Sequence, residues 1–510
     1  MSNRHSFAPL PAPAPAASNS RIPGWVLLDS TVYVDDLLNR TTAGTLTKAG
    51  LTIQLSLVTV DPPRLSYFCA YCLDIDKIAL ECEPEVVCSV GGLALIRVDF
   101  TVGDSPQYFV YRARGPKGGP SLDLLPDIRL YSRAECLVQA LGLVSHDNGQ
   151  HFVVAALSYG KEDDQYILHT LCSEPRSTWS RKLLQVEIPD GHPRDSAVIC
   201  PTKVISLGGG LLGWVDLWKG VVKCDVLNPV AASFIPMPKL LPSNKELYGH
   251  QSSARGIRDV TFSAGCIKCV EFEQLLQLRP PTAPSSPDPW DIDEFNDSEL
   301  AVGQRPHEEE DEVYDVVGWR LVTWYRELSW GGWCKGSKVH SDDLGTTVSL
   351  PQLGGGSCAL KELLKDLQTA SPTLCDDDIV YLVSMTDKLD QAAWIVPVDT
   401  KRRHVGEIMP LPLEDNLIHD PTFIPCELTK YLGAKSEHQQ DEEATATFTG
   451  RTRKAAISNA ASAALISCSD DASQLCAVCL KPPEVLMIYV VMSDMVVFLK
   501  WHCACPMDMQ

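Results

Sequence analysis

Three groups of cysteines have the spacing of metal ligands. Cys69 and Cys72 form one Cys-x-x-Cys pair, and Cys266 and Cys269 form another. A zinc ribbon needs a second pair at a set distance, and neither pair has one. We therefore predict that these four residues are small core residues and not metal ligands.

The third group lies near the C-terminus. Cys476 and Cys479 precede a continuous apolar run, and His502, Cys503 and Cys505 follow it. A zinc finger encloses a polar loop, so the apolar run argues against it. We predict that this group binds no metal, and zinc binding by it remains an open alternative.

A glycine motif follows the apolar run Val204–Leu207. Gly208, Gly210 and Gly213 satisfy the Gly-x-Gly-x-x-Gly pattern of dinucleotide sites, which requires a helix directly after it. Instead, the segment Trp214–Trp218 alternates in polarity as a strand does. We predict that the glycines allow a tight bend or a close approach of strands, that no cofactor binds, and that Asp216 bonds a backbone turn.

Residues for nucleophilic or calcium chemistry lack a supporting pattern. The chain has no Gly-x-Ser-x-Gly elbow. His146 and His151 flank an Asp-Asn-Gly turn, and Asp376, Asp377 and Asp378 lack the spacing of an EF-hand. We predict turn or capping roles for these residues, and the catalytic residues stay unknown.

The net charge of −21 argues against a nucleic acid or a membrane surface as partner, since both attract Lys and Arg. The densest basic run, Lys401–His404, is predicted to be a solvated hairpin tip. The longest apolar stretch, Val485–Leu499, is too short to span a membrane and contains Asp494.

The 19 cysteines are predicted to be reduced, because residues 1–20 lack the apolar segment of a secretory signal. The expected compartment is therefore the cytoplasm or the nucleus. Residues 1–24 have no acidic residue, which leaves an organellar transit peptide as an alternative. Their Pro and Ala content favours a disordered, extended tail.

Short apolar runs separated by turn residues fill most of the chain, which has 36 prolines and 33 glycines. Thr52–Leu57 alternates with period two, as a half-buried strand does. The runs at 93–98 and 108–111 predict a hairpin. The same pattern recurs at 152–157 with 166–171, 211–217 with 221–226, 260–262 with 267–272, 319–324, and 379–384 with 393–398.

These runs start roughly 50 to 60 residues apart, near the repeat length of kelch-type blades. We predict an all-β, mainly antiparallel fold: a propeller-like array of about six hairpin units with few helices. A pair of packed sheets is the alternative.

The domain prediction divides the chain into a tail at 1–24, a β domain at 25–434 and a low-order segment at 435–510. Within the β domain, residues 279–312 are rich in Pro and acidic residues and are predicted to be a disordered loop. Residues 358–367 carry leucines at helical spacing and are the best helix candidate.

Four segments of the chain are 25–29 (Trp-Val-Leu-Leu-Asp), 61–69, 207–218 and 377–382. They resemble segments of the DUF1618 proteins, a plant family expanded in grasses. The resemblance spans residues 25–434 and is most specific in Gly-Trp-Val-Asp-Leu-Trp. It implies no catalytic residues, because the family has none established.

The absence of a catalytic pattern favours a non-enzymatic module on a β scaffold that binds another protein. One alternative is a hydrolase-type enzyme with its site at the centre of the propeller. Another is an adaptor in protein turnover, by analogy with F-box-associated domains.

Overall fold

A computed structural model describes most of the predicted β domain. Two compact parts make up the chain, Met1–Gly433 and Ala434–Gln510. The residues that the structure describes are 23–72, 80–101, 106–116, 118–127, 141–146, 151–173, 178–247, 253–279, 314–344, 372–375, 378–385, 392–412, 423–432, 486–492 and 495–501.

The first part contains six groups of strands, which we name groups I to VI. Group I begins with β1 (Val26–Val34), β2 (Ala43–Leu46), β3 (Thr52–Val58) and β4 (Leu65–Cys72). Group II contains β5 (Glu85–Val90), β6 (Leu93–Val98), β7 (Gln107–Arg112) and β8 (Ser121–Leu124). Successive side chains of β3 point to opposite faces of the sheet, so Ile53, Leu55 and Leu57 are buried on one face, as the sequence predicts.

Groups III and IV are four-stranded meanders with the predicted hairpins at their centres. Group III contains β9 (Gly142–His146), β10 (His151–Tyr159), β11 (Gln165–Cys172) and β12 (Ser180–Glu187). Group IV contains β13 (Lys203–Gly208), β14 (Leu211–Asp216), β15 (Gly220–Asp225) and β16 (Ala232–Pro236).

Groups V and VI complete the set. Group V contains β17 (Arg258–Ser263), β18 (Cys266–Leu278), β19 (Tyr314–Glu327) and β20 (Cys334–His340). Group VI contains β21 (Thr373–Leu374), β22 (Ile379–Met385), β23 (Ala392–Asp399), β24 (His404–Val405) and β25 (Met409–Pro412). The strand β26 (Phe423–Cys426) follows group VI, and the helix α1 (Pro242–Leu247) precedes group V. Short 3-10 turns are Arg194–Ala197, Ala254–Gly256, Ser341–Asp343 and Leu428–Tyr431.

Strand pairing also joins neighbouring groups at two places. Thr31 of β1 pairs with Glu85 of β5, and Val186 of β12 pairs in parallel with Ala232 of β16. Groups I and II with β26 therefore form one nine-stranded sheet, and groups III and IV form one eight-stranded sheet. The prediction of an all-β, mainly antiparallel fold is confirmed.

One predicted repeat boundary differs from the structure. The run 319–324 lies in β19, which pairs with β18 along its length, so it belongs to the same group as 260–262 and 267–272. Periodicity identifies a strand but not its neighbour, because the long insertion between β18 and β19 resembles the gap between two repeats.

Six hydrophobic cores connect the six groups in cyclic order. The cores lie between groups I and II, II and III, III and IV, IV and V, V and VI, and VI and I. Each group therefore packs both of its faces against a neighbour. A sheet that is apolar on both faces cannot be stable alone, and stacking in a ring satisfies every face.

Group I is completed by the distant strand β26. Asp29 pairs with Phe423 and Val26 pairs with Cys426, so β1 and β26 form an antiparallel ladder. Phe423 is buried in the core between groups VI and I, while Cys426 and Leu428 are buried in the core between groups I and II. The end of the first part therefore contributes to two cores.

A buried carboxyl group lies within this ladder. Thr31 N–H donates to Asp29 Oδ1 over 2.9 Å, and the Tyr33 hydroxyl donates to Oδ2 over 2.8 Å. Burial nevertheless raises the pKa of Asp29 to about 6, because it removes water from the charged form. The folded protein therefore holds this proton more tightly than the unfolded chain does.

We expect the Asp29→Asn variant to gain stability relative to the parent protein as the pH rises from 4 to 7. A raised carboxyl pKa favours folding at low pH, and this contribution is lost as the pH approaches 6. The relative gain between pH 4 and pH 7 should be about 2 kcal/mol. Denaturant unfolding of both proteins across this pH range measures it, and a difference independent of pH would contradict the expectation.

The second compact part contains one described hairpin, β27 (Leu486–Met492) with β28 (Met495–Trp501). Several predictions lie outside the described residues: the tail at 1–24 up to residue 22, the acidic loop from residue 280 to 312, and the helix at 358–367. Among the described helices, none combines the length and the apolar character needed to cross a membrane.

Candidate functional site

The glycine motif forms a hairpin turn between β13 and β14. Gly208 and Gly210 have positive φ angles of 76° and 88°, and the strand β14 begins directly after them. A Cβ at Gly213 would lie 2.8 Å from Val221 Cγ1. Both predicted roles, a tight bend and a close approach of strands, are confirmed. The helix terminus that would hold a pyrophosphate is replaced by a strand.

Asp216 organises the turn between β14 and β15. Its Oδ1 accepts the N–H groups of Trp218 and Lys219 over 2.9 and 3.0 Å, and its Oδ2 accepts the Cys200 N–H over 2.9 Å. Trp214 is buried between groups III and IV, and Trp218 packs on the core between groups IV and V. The predicted role of Asp216 in a backbone turn is confirmed.

Strand geometry separates the members of both Cys-x-x-Cys pairs. Cys69 and Cys72 lie on β4, and Cys266 and Cys269 lie on β18. Residues three apart in a strand point to opposite faces, so neither pair can bind one metal ion together. Burial raises the pKa of Cys69 and of Cys269 to about 12, which disfavours the thiolate that metals require. The third group, from Cys476 to Cys505, lies outside the described residues.

The predicted polar candidates have local roles. His146 and His151 are directly paired across β9 and β10. Asp378 has ion pairs with Lys268 over 3.0 Å and Lys401 over 2.5 Å, whereas Asp376 and Asp377 lie outside the described residues.

The basic run occupies the exposed turn between β23 and β24, where a hairpin tip is predicted. Arg402 and Arg403 lie within 4 Å of the carboxylates of Asp399 and Asp343.

One serine and histidine pair has the separation of a nucleophile and its base. Ser158 Oγ lies 2.9 Å from His169 Nε2. Both residues are fully buried, however, at 0% and 1% exposure. A substrate arriving from solvent has no access to this pair, so it is a buried polar contact of group III.

The most buried ion pair of the described residues joins Arg258 and Glu271 in group V. Nε and Nη2 of Arg258 donate to Glu271 Oε2 over 3.0 and 2.6 Å. The guanidinium also donates to the carbonyls of Leu217 and Pro238 in group IV. Both charged side chains are fully enclosed. Such a pair is stable only when its remaining donors and acceptors are also satisfied.

Glu271 uses its second oxygen to hold the segment around α1. Its Oε1 accepts the N–H of Leu241 and the side-chain amide of Asn244, both over 2.8 Å. The amide of Asn244 also donates to the carbonyl of Phe272 over 2.7 Å. This network fixes the connection between groups IV and V, and no atom of the ion pair is left for catalysis.

A tryptophan-rich turn follows β19 in the same group. We name residues 328–333 (Leu-Ser-Trp-Gly-Gly-Trp) the tryptophan turn. The indole N–H of Trp333 donates to the carbonyl of Pro236 over 2.7 Å, which anchors the turn to group IV. The backbone N–H of Trp330 donates to the backbone carbonyl of Glu327 over 3.1 Å. The turn is therefore held at both ends.

The two faces of the turn carry different residues. On one face, Tyr325 is 39% exposed, and its ring lies 5.9 Å from that of Trp330. On the other face, Trp324 and Trp333 pack on the core between groups IV and V. Arg326 shares that face, since it pairs with Ile267 of the same core. Aromatic rings beside an arginine are typical of protein-binding surfaces.

Sequence reasoning did not identify Tyr325, Arg326, Trp330 or Trp333 as site residues. The signal that was available is their density, because Trp319, Trp324, Trp330 and Trp333 fall within 15 residues. That density does not distinguish a core from a surface. The exposure of Tyr325 arises because it lies on the face of β19 opposite to the core between groups IV and V.

Comparison with known proteins identifies one family. The family model described as "Protein of unknown function (DUF1618)" matches residues 214–381, about a third of the chain. No curated protein matches the chain. The match begins at Trp214 in β14 and ends at Tyr381 in β22, and the wider predicted span stays a prediction. The resemblance to the DUF1618 family is therefore confirmed for residues 214–381, which contain both the Arg258 network and the tryptophan turn.

Proposed function

We propose that the protein is a non-enzymatic interaction module in which the tryptophan turn binds another protein. The observation that carries this proposal is the ring contact between the exposed Tyr325 and the half-buried Trp330, on a turn anchored at both ends. An anchored aromatic group loses little conformational entropy on binding, which makes it a favourable contact residue.

The scaffold supports this role. Six cores in cyclic order are what a ring of propeller blades requires, and we propose that groups I to VI are such blades. A ring of this kind positions its turns rigidly and leaves them accessible. The twelve described cysteines are free, which fits the proposed location in the cytoplasm or the nucleus.

The Trp330→Ala variant tests this function. We expect it to lose partner proteins that the parent chain retains in affinity capture, because aromatic contact residues each contribute about 2 kcal/mol or more to binding. This corresponds to a dissociation constant about 30-fold weaker. For each captured protein, titration of the purified pair measures the change.

Val230→Ala is the control for the loss of an apolar side chain at the surface, because Val230 is 84% exposed. It lies between β15 and β16, away from the tryptophan turn in sequence. Partners should bind this variant as they bind the parent chain. Equal binding of every partner to Trp330→Ala and to the parent chain would refute the proposed role of the turn.

A further inference from the structure

Arg326 is a buried cation with few partners. It is 8% exposed, and its Nε has no hydrogen-bond partner within the described part of the chain. Its only hydrogen bond there runs from Nη1 to the carbonyl of Gly331, at the long distance of 3.4 Å. Burial lowers the pKa of Arg326, since no described carboxylate compensates for the lost water. Buried arginines are normally paired with an anionic group, and the described residues provide none for Arg326.

Two further cations lie on the same face of group V. Lys335 pairs with Trp324 and Lys338 pairs with Val322 across β19 and β20, which places them on the face that carries Arg326. Both lysines are exposed, and neither has an ion pair among the described residues. We name Arg326, Lys335 and Lys338 the basic strip. It is a local positive surface on a chain of net charge −21.

The surroundings of the basic strip leave room for a ligand. A Cβ at Gly331 or at Gly332 would meet no atom within 4 Å, so the space beside the turn is open. Trp324 and Trp333 provide partly buried apolar surface next to the cations. Within the described strands, β20 pairs only with β19, so its outer edge offers free backbone donors and acceptors.

We propose that the basic strip and the edge of β20 bind an extended acidic peptide of a partner protein, with carboxylates that alternate with aromatic or long apolar side chains. This rests on the proposed interaction function and specifies the partner. The peptide adds a strand to β20, and its carboxylates pair with Arg326 and Lys335.

Fluorescence anisotropy of the full-length protein tests the proposal with three labelled ten-residue peptides. They alternate Glu with Phe, Gln with Phe, and Lys with Phe. The Glu peptide is expected to bind at least about tenfold more tightly than the Gln peptide, since one charge-assisted contact accounts for that factor. Its affinity should fall with added salt. Equal affinity for the Glu and Gln peptides, or tighter binding of a poly-uridine probe, would overturn the proposal.

The variants Arg326→Leu and Lys335→Gln separate binding from stability. Each should weaken binding of the Glu peptide at least about tenfold. Arg326→Leu should keep or raise the Tm, because it removes a buried, unpaired charge. Lys161→Gln removes an exposed charge from the turn between β10 and β11, and it should leave binding unchanged.

Unchanged binding of the Glu peptide to Arg326→Leu, or a lower Tm of that variant, would assign Arg326 a structural role and refute the proposal. The same variants also distinguish a failure of this proposal from a failure of the proposed function. If Trp330→Ala loses its partners while both charge variants retain them, the tryptophan turn binds proteins but the basic strip does not.

Discussion

The Glu271→Leu variant is expected to lose about 3 to 5 kcal/mol of the free energy of unfolding. The substitution leaves the Arg258 guanidinium fully buried without its counter-ion. It also removes the acceptor for the N–H of Leu241 and the amide of Asn244. Denaturant unfolding measures the loss, and the exposed pair Arg279 and Asp315 provides the control, because Arg279→Ala should cause no measurable change.

A double variant, Arg258→Met with Glu271→Leu, separates the contribution of the ion pair to stability from the contribution of the groups bonded to it. Replacing both buried charges by apolar side chains is often neutral, so the double variant should recover part of the stability that Glu271→Leu loses. The recovery is limited because the carbonyls of Leu217 and Pro238 lose their donor. If the double variant lost as much free energy of unfolding as the two single variants together, the two charges would not interact.

Truncation after residue 422 is expected to abolish cooperative unfolding of the first compact part. It removes β26 and the buried residues Phe423, Cys426 and Leu428, which contribute to two cores. It also exposes the edge of β1 and the apolar surface of group VI. Calorimetry of the truncated chain should show no sharp transition.

Two further proteins make this test specific. A chain that ends at residue 433, the limit of the first compact part, should keep its transition. In the full-length chain, Phe423→Ala should lower the free energy of unfolding by about 3 to 5 kcal/mol, the usual range for a buried phenylalanine. A sharp transition after truncation at 422 would mean that the cyclic packing is dispensable.

The strands were predictable because their signal is local. Short apolar or alternating runs between turn residues located β3, β10, β11 and β14 to within a residue or two, and positive φ angles explain Gly208 and Gly210. The pairing of these strands with one another was less predictable. The pairing of β1 with β26 joins residues about 400 positions apart, and no local pattern encodes it.

The candidate site was not predictable for a related reason. Arg258, Glu271 and Arg326 each occupy a strand position that a solvent-facing charged residue could also occupy. Their burial arises from group IV, which packs over this face of group V. A charge on a strand is predicted to face water unless the neighbouring sheet is known.

The ladder between β1 and β26 also has a consequence for synthesis on the ribosome. Val26 cannot pair with Cys426 until 400 further residues have been translated, so group I stays incomplete for that time. At about 5 to 20 residues per second, this delay lasts roughly 20 to 80 s. During that time the nascent chain presents an open strand edge and the apolar face of group I. Chaperones that shield nascent chains therefore have a long interval in which to act on this protein.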